Sequence, residues 1–344
     1  MPRILLFLTA ATVMTAATMM AAAAPIELKL PTENRHLFTG ELDRFYMYVD
    51  RNFEGEVSQP WEGGKYGYVR TPQRVRGEVV LTRFHEGIDI SPVKRDRAGN
   101  PLDLIMSIAD GTVVYTNNVA GRSNYGKYLV VEHRWEGASV VSLYAHLAEI
   151  TCKPGDRVKA GSVLGRMGYT GVGLNRTRAH LHLELGFVLH ERYEDWHRSA
   201  GFSTNHHGIY NGMNIAGADV ASFFLEHREN PELRFSEFIA SQPVHFKVAV
   251  PGGDTPAFVT RHPWIRRDGA TNPSSWEVHF TATGLPVGFA PSDRKVTTPI
   301  VTAIRPSGEI PHRFLTRNLV NGEGDTATLS NGGRRLVSLV TGDF

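Results

Sequence analysis

The stretch 179–185, Ala-His-Leu-His-Leu-Glu-Leu, alternates polar and apolar side chains without interruption. A period of two predicts a β-strand that carries His180, His182 and Glu184 on one face and the leucines on the other. Side chains on the same face of a strand are roughly 7 Å apart from one to the next. One face of this strand is therefore expected to join a core, while the other presents groups that can bind a metal or move protons.

Two further segments carry histidine, namely His85-Glu86-Gly87-Ile88-Asp89 and Tyr144-Ala145-His146-Leu147. A fully extended chain would separate His85 from Asp89 by roughly 13 Å. Sharing one metal would require a bend, which Gly87 permits. Imidazole and carboxylate are preferred zinc ligands, and a catalytic zinc site keeps three protein ligands. Each segment alone is compatible with a structural histidine, and the residues themselves do not decide which groups are ligands.

The region 77–189 is predicted to form an antiparallel β-sheet domain, so the fold class is mainly β. Short runs rich in β-branched residues recur there and are separated by glycine turns. These runs are 79–81, 104–108, 112–115, 128–132, 140–144 and 179–187.

Residues 190–240 have a different pattern, which predicts a helical insertion. Asp219 precedes apolar residues spaced as one helical face, and Pro231 ends that pattern. After the insertion the chain returns to β-like runs, with turn signals that include the Asn-Gly-Gly sequence at 331–333. A smaller C-terminal β domain of unknown role is therefore predicted over 241–344.

Residues 25–76 are rich in aromatic residues and glycine and show no sustained period of 2 or 3.6. This composition predicts an irregular arm that packs on the sheet domain, since its aromatic side chains need a surface to bury against. An inhibitory segment that crosses the site is the alternative, although no residue of the arm identifies itself as a metal donor.

The N-terminus predicts export. Arg3 precedes an uncharged stretch that ends in four alanines at 21–24, as in a signal peptide over 1–24, and an uncleaved membrane anchor is the competing interpretation. The expected location is periplasmic or extracellular, with no other membrane contact. A net charge of +2, from 37 basic and 35 acidic residues, does not indicate a nucleic-acid partner. The single cysteine, Cys152, cannot form an internal disulfide.

Over roughly 77–188 the sequence resembles the lysostaphin-type (LytM-type) zinc metallopeptidases, which cleave peptidoglycan peptides. The resemblance rests on blocks in a fixed order. They are HEGID at 85–89, ADGTVVY at 109–115, NYGKYLVVEH at 124–133, SLYAHL at 142–147, KPGDRVKAGSVLGRMGYTG at 153–171 and AHLHLEL at 179–185. It implies that His85, Asp89 and His182 bind zinc and that His146 and His180 stand beside the metal as catalytic histidines.

The function that the resemblance implies is a zinc metalloendopeptidase that hydrolyses peptide cross-links of peptidoglycan with a zinc-activated water. One of His146 and His180 would move the proton and the other would stabilise the oxyanion, in an order that the sequence does not fix. The bond cleaved also stays open, between glycine-glycine, D-alanyl-diaminopimelate and other cross-links.

Some members of this family have lost metal ligands and act as non-catalytic regulators of cell-wall amidases, which is the alternative function. Two other kinds of site are disfavoured. A helical H-E-x-x-H site is excluded because the residue four positions after His85 is Asp89, and Lys159 lacks the sequence context of a biotin or lipoyl carrier. His206 and His207 are interpreted as structural rather than as a second metal site.

Overall fold

The computed structural model describes residues 25–344, so the predicted signal peptide at 1–24 lies outside the described residues. The strands are β1 (Arg51–Phe53), β2 (Glu56–Ser58), β3 (Gly67–Val75), β4 (Glu78–His85), β5 (Ile88–Ile90), β6 (Leu104–Met106), β7 (Gly111–Asn117), β8 (Tyr128–Trp135), β9 (Ala138–Ala145), β10 (Leu147–Ile150), β11 (Arg157–Val158), β12 (Val163–Met167), β13 (Leu181–Val188), β14 (Ile215–Ala218), β15 (Phe246–Pro251), β16 (Ser275–Phe280), β17 (Pro286–Ser292), β18 (Ile300–Ile304), β19 (Val320–Asn321) and β20 (Thr328–Leu329). The helices are α1 (His36–Thr39), α2 (Leu42–Phe45), α3 (Tyr193–Ser199), α4 (Val220–Glu229), α5 (Phe235–Ser241), α6 (Ala257–Arg261), α7 (His312–Leu315) and α8 (Asn331–Thr341). Short 3₁₀ turns cover Trp61–Gly64, Gly208–Tyr210, Gly212–Asn214, Pro263–Ile265 and Gly324–Thr326.

The central sheet has the strand order β11-β7-β8-β9-β13-β14, and β5 pairs with β13 beside this path. Its pairings are antiparallel, which confirms the predicted fold class. A smaller sheet with the order β10-β12-β6 completes the region, and β3 and β4 form a separate hairpin. Strand β13 is buried along nearly its whole length, and it pairs with β9 on one edge and with β5 and β14 on the other.

The segment 25–76 is more regular than its sequence predicts. Strand β3 runs through 67–75 and pairs with β4 over its length, so the prediction of an irregular arm is wrong for these residues. The pattern is hidden because most side chains of β3 are half-buried or exposed on both faces. Further upstream, Phe45 and Tyr46 are buried in the main hydrophobic core, and Met47 N–H donates to the Asp89 carbonyl at 2.8 Å.

The helix predicted after Asp219 is confirmed as α4. The Asp219 carboxylate accepts the Ser222 N–H as an N-cap, and the helix ends one residue before Asn230-Pro231. The four-residue strand β14 was not predicted, because Ile-Ala-Gly-Ala gives no periodic signal. It pairs with β13 from Leu185 to Val188.

The C-terminal segment contains a four-stranded antiparallel sheet in the order β17-β16-β15-β18. The prediction of a turn at 331–333 is wrong, because α8 begins at Asn331 with Ser330 as its N-cap. A Cβ on Gly333 would lie 2.1 Å from the Leu319 carbonyl oxygen, so glycine allows close packing here rather than a turn. Buried residues of this segment and of the central sheet belong to one hydrophobic cluster. Within 25–344, no helix combines the length and apolar character needed to cross a membrane.

Candidate active site

Three side chains bring their ligand atoms together near the N-terminal end of β13. His85 Nε2 lies 3.1 Å from His182 Nδ1, and Asp89 Oδ1 lies 2.9 Å from His182 Nδ1 and 3.2 Å from His85 Nε2. In the described part of the chain, these residues form the one group of histidine, cysteine or acidic side chains with metal-binding geometry. Their exposed fractions are 2%, 2% and 6%, so the cluster is shielded from bulk water.

Strand register creates this arrangement. In β13, His182 is directly opposite Asp89 of β5 on one side and Ala145 of β9 on the other. His85 ends β4, and the chain turns through Glu86 and Gly87 before β5 begins. A Cβ on Gly87 would lie 2.2 Å from the Leu183 carbonyl oxygen. Glycine is therefore required here for close approach to β13, in addition to the bend that the sequence predicts.

The donor set fits a zinc ion. Ligands of a tetrahedral zinc with bonds of about 2.0–2.2 Å are separated by about 3.3 Å. The three distances in the cluster, 2.9, 3.1 and 3.2 Å, are close to this spacing. His85 Nδ1–H donates to the Lys65 carbonyl at 2.8 Å, which leaves Nε2 as its acceptor nitrogen. A carboxylate or carbonyl on the distal nitrogen is the usual support of a metal-binding histidine.

Glu184 supports His182 in the same way. Its Oε1 lies 2.9 Å from His182 Nε2 and accepts the Tyr125 hydroxyl at 2.6 Å. Glu184 is 1% exposed, and its Oε2 has no hydrogen-bond partner among the described residues. Alternation predicts that Glu184 lies on the histidine face, but no role for it could be predicted from the sequence. Tyr125 carried no signal of its own beyond its position in the 124–133 block.

Arg70 contacts the Asp89 carboxylate, and this contact was not predicted from the sequence. Its Nη2 donates to Asp89 Oδ2 at 2.5 Å, and its Nε donates to the Gly63 carbonyl at 2.8 Å. The Asp89 carboxylate is thereby held between an arginine on one oxygen and the imidazoles on the other. Arg70 comes from β3, which lies outside the sheet domain predicted from sequence.

The charges of the cluster are strongly coupled. Burial alone would raise the pKa of Asp89, but His180, His85 and Arg70 hold it well below its usual range. Burial also opposes protonation of His182, yet hydrogen bonds to Asp89 and Glu184 outweigh it and raise the pKa of His182 to about 9. Burial lowers the pKa of His85. Asp89 is thus fully ionised at neutral pH and supplies the negative charge that a divalent cation requires.

His146 and His180 stand beside this cluster, with ring centroids 4.8 Å apart. Each presents Nδ1 to a backbone carbonyl, His146 to Thr170 at 2.8 Å and His180 to Arg178 at 2.7 Å. These bonds assign the proton of the neutral ring to Nδ1 and leave Nε2 as the basic nitrogen. His180 Nε2 lies 3.4 Å from Asp89 Oδ1. Burial, together with the neighbouring His180 and His182, lowers the pKa of His146 well below its usual value.

His146 is also in a strained conformation, with φ at +64°. A non-glycine residue in the left-handed region costs energy and is often found at functional positions. Its own N–H donates to the Tyr125 carbonyl at 2.9 Å, which helps to fix this geometry.

The cluster lies at the base of a cleft of about 1100 Å³. Its walls come from the N-terminal segment, the loop around 122–125, the insertion around 197–213, and Arg317 near the C-terminus. His206 and His207 line this cleft, but they are not part of the metal-binding cluster. The Tyr115 hydroxyl bonds His207 Nδ1 at 2.8 Å, as expected of a structural histidine.

Comparison with known proteins identifies the region around the cluster. Residues 83–193 match the family described as Peptidase family M23. The peptidoglycan DD-endopeptidase ShyA of Vibrio cholerae is 32% identical over 115 residues, which cover 33% of this chain and 23% of that protein. The murein hydrolase activator NlpD of Escherichia coli is 32% identical over 103 residues, which cover 30% of this chain and 23% of that protein.

The lysostaphin catalytic domain of Staphylococcus simulans aligns with a TM-score of 0.29 and 22% identity over 47% of this chain and 89% of that domain. The sequence matches span less than a third of the length of the curated relatives. The family match at 83–193 includes all five residues predicted for the site, namely His85, Asp89, His146, His180 and His182. This chain carries a domain of Peptidase family M23.

Proposed function

We propose that this protein is an exported zinc metalloendopeptidase that hydrolyses peptide cross-links of bacterial peptidoglycan. The observation that carries the proposal is the triangle formed by His85 Nε2, Asp89 Oδ1 and His182 Nδ1, with two further histidines beside it. These three residues would hold the ion. When bound, zinc would supply Lewis acidity, which lowers the pKa of water toward about 7 and polarises a scissile carbonyl.

His146 and His180 would provide the proton chemistry. Because their Nδ1 atoms donate to backbone carbonyls, the reactive nitrogen of each is Nε2. One Nε2 would accept the proton of the attacking water and pass it to the leaving amine, while the other would donate to the developing oxyanion. Burial lowers the pKa of His146 well below its usual value, so its ring is neutral at pH 7.

Export is proposed from the N-terminal sequence alone. The uncharged stretch after Arg3 and its terminal alanines have the features of a cleavable signal, which would direct the enzyme to the compartment that contains peptidoglycan.

The second candidate is a non-catalytic activator of cell-wall hydrolases. It is favoured by one observation, the similarity to a protein named as a murein hydrolase activator. A regulator has no need of the full ligand set, whereas this chain retains all three ligands and their supporting contacts with Lys65 and Glu184.

Zinc content and peptidoglycan digestion distinguish the two candidates. The purified mature protein should bind about one zinc per chain and release muropeptides whose masses identify the broken bond. His182→Ala should lose both zinc and hydrolysis, while His36→Ala, a histidine paired with Glu41 away from the cleft, should lose neither. Zinc-loaded protein that cleaves nothing but stimulates a purified amidase would overturn the enzyme proposal.

A further inference from the structure

The cleft above the cluster is rich in arginine. The arginines that line it are Arg51, Arg70, Arg83, Arg122, Arg178 and Arg317, and the acidic residues are Asp50, Glu86 and Asp89. The lining therefore has three more guanidinium groups than carboxylates, while the whole chain has a net charge of only +2. Such a concentration of one sign in a concave surface attracts ligands of the opposite sign.

Internal ion pairs do not account for all of these arginines. Arg70 is neutralised by Asp89, and Arg317 bonds Glu86 at 3.1 Å. Arg178 comes only within 3.9 Å of Asp50, and its buried Nε has no hydrogen-bond partner among residues 25–344.

Arg83 and Arg122 are exposed, and neither forms a salt bridge within the described part of the chain. Arg83 also lies directly opposite Arg70 in the β3–β4 hairpin. Like charges at directly opposed positions destabilise a strand pair, so folding alone does not explain this placement. Arg122 belongs to the loop between β7 and β8, a separate segment of the cleft lining.

We propose that Arg83, Arg122 and Arg178 bind free carboxylates of the peptide substrate, so that the enzyme selects anionic peptide cross-links over neutral oligoglycine bridges. The inference rests on the proposed function and names its substrate class. Guanidinium groups form paired, charge-assisted hydrogen bonds with carboxylates. Arg178 lines the cleft together with His180, and its backbone carbonyl accepts the His180 Nδ1–H at 2.7 Å, so its positive charge lies close to the reacting groups.

The test compares one cross-linked muropeptide in two forms, with its carboxylates free and with the same carboxylates amidated, alongside a pentaglycine peptide. Zinc-loaded mature protein should show a kcat/KM at least about 10-fold higher for the free form. This preference should shrink as salt rises from 0.05 to 1 M, because the screening length falls to about 3 Å. Equal kcat/KM for the two forms would overturn the inference and leave the proposed function intact.

Substitutions of individual arginines test which of them cause the preference for the free-carboxylate form. Arg83→Gln and Arg122→Gln should each reduce the preference for the free form about 3- to 10-fold, through a higher KM for that form. Arg294→Gln, an exposed arginine in the loop between β17 and β18 that does not line the cleft, is the matched control and should not change it. Variants that slow both forms equally would show that these arginines are structural and would refute their assignment.

A binding experiment separates this inference from the proposed function. If the zinc-loaded protein cleaves no peptide at all, the proposed function fails. Calorimetry with the two muropeptide forms then still tests whether the arginines bind free carboxylates. Tighter binding of the free form to His146→Ala protein, lost in the Arg83→Gln and Arg122→Gln variants, would support the arginine assignment. Equal binding of both forms would reject it.

Discussion

Replacing Arg70 by methionine should weaken zinc binding without touching a ligand. Arg70 Nη2 donates to Asp89 Oδ2 at 2.5 Å, and their side chains are 24% and 3% exposed. Two charges about 4 Å apart interact by about 4 kcal/mol at an effective dielectric constant of 20. In the zinc-loaded protein the ion itself compensates Asp89, so most of that energy is recovered. The variant loses the contact that orients the Asp89 carboxylate, and therefore Oδ1. Loss of such a supporting contact typically lowers metal affinity about 10- to 100-fold.

Chelator competition at pH 7.5 measures this change. Arg70→Met should raise the zinc dissociation constant about 10- to 100-fold, equivalent to about 1.4–2.7 kcal/mol. The matched control is Arg74→Met in the same strand. Its salt bridge to Glu54, at 2.6 Å, is half-exposed and distant from the cluster, so its removal should change zinc affinity less than about 2-fold. A folded Arg70→Met protein with unchanged zinc affinity would refute the view that Arg70 positions Asp89.

Three further predictions concern the two histidines proposed to be catalytic, the pH dependence of stability and the N-terminal segment. His146→Ala and His180→Ala should each keep zinc while slowing hydrolysis about 10² to 10⁴-fold, as measured by zinc content and kcat; zinc loss at unchanged folding stability would contradict their assignment. Burial lowers the pKa of His133 and of His262 to about 4, against about 6.5 in the unfolded chain, so the unfolded state binds more protons between these values. The free energy of unfolding should then fall as pH drops from 6.5 to 4, by up to about 3 kcal/mol per histidine, and denaturant titrations showing constant or rising stability would disprove this. A chain beginning at Arg76 should have a lower thermal midpoint and aggregate, because it loses the partner strand of β4 and the buried Phe45 and Tyr46; equal stability of the shortened chain would refute that role for the segment.

The sheet could be predicted from sequence because its strands are buried on at least one face. Alternation along 179–185 identified both the strand and its polar face, and that strand became β13. Strand β3 was not predicted because none of its side chains is fully buried, so its sequence does not alternate between apolar and polar residues. Strand β14 was not predicted because its sequence is determined by close contact between backbones rather than by side-chain packing. A Cβ on Gly217 would lie 2.4 Å from the Glu86 carbonyl oxygen.

In the candidate site, too, features that depend on tertiary contacts could not be predicted from the sequence. The ligand types and the bend at Gly87 follow from composition and spacing, whereas the choice of Asp89 Oδ1 as the shared atom follows from the register that sets Asp89 opposite His182. Arg70 could not be predicted, since a guanidinium in a half-exposed strand has many potential partners. Its actual partner, Asp89 of β5, depends on the tertiary placement of the β3–β4 hairpin.

The matched segment 83–193 contains the three proposed ligands but lacks several groups that contact them. The carbonyl that fixes the His85 ring belongs to Lys65, and the guanidinium on Asp89 belongs to Arg70. From the C-terminal segment, Arg317 donates to Glu86, the residue immediately after His85. The three proposed ligands thus lie inside the matched segment, while their orientation and the charge of the cleft depend on the segments that flank it. Substitutions in those flanking segments should therefore change metal affinity and substrate choice while the five histidine and aspartate positions stay intact.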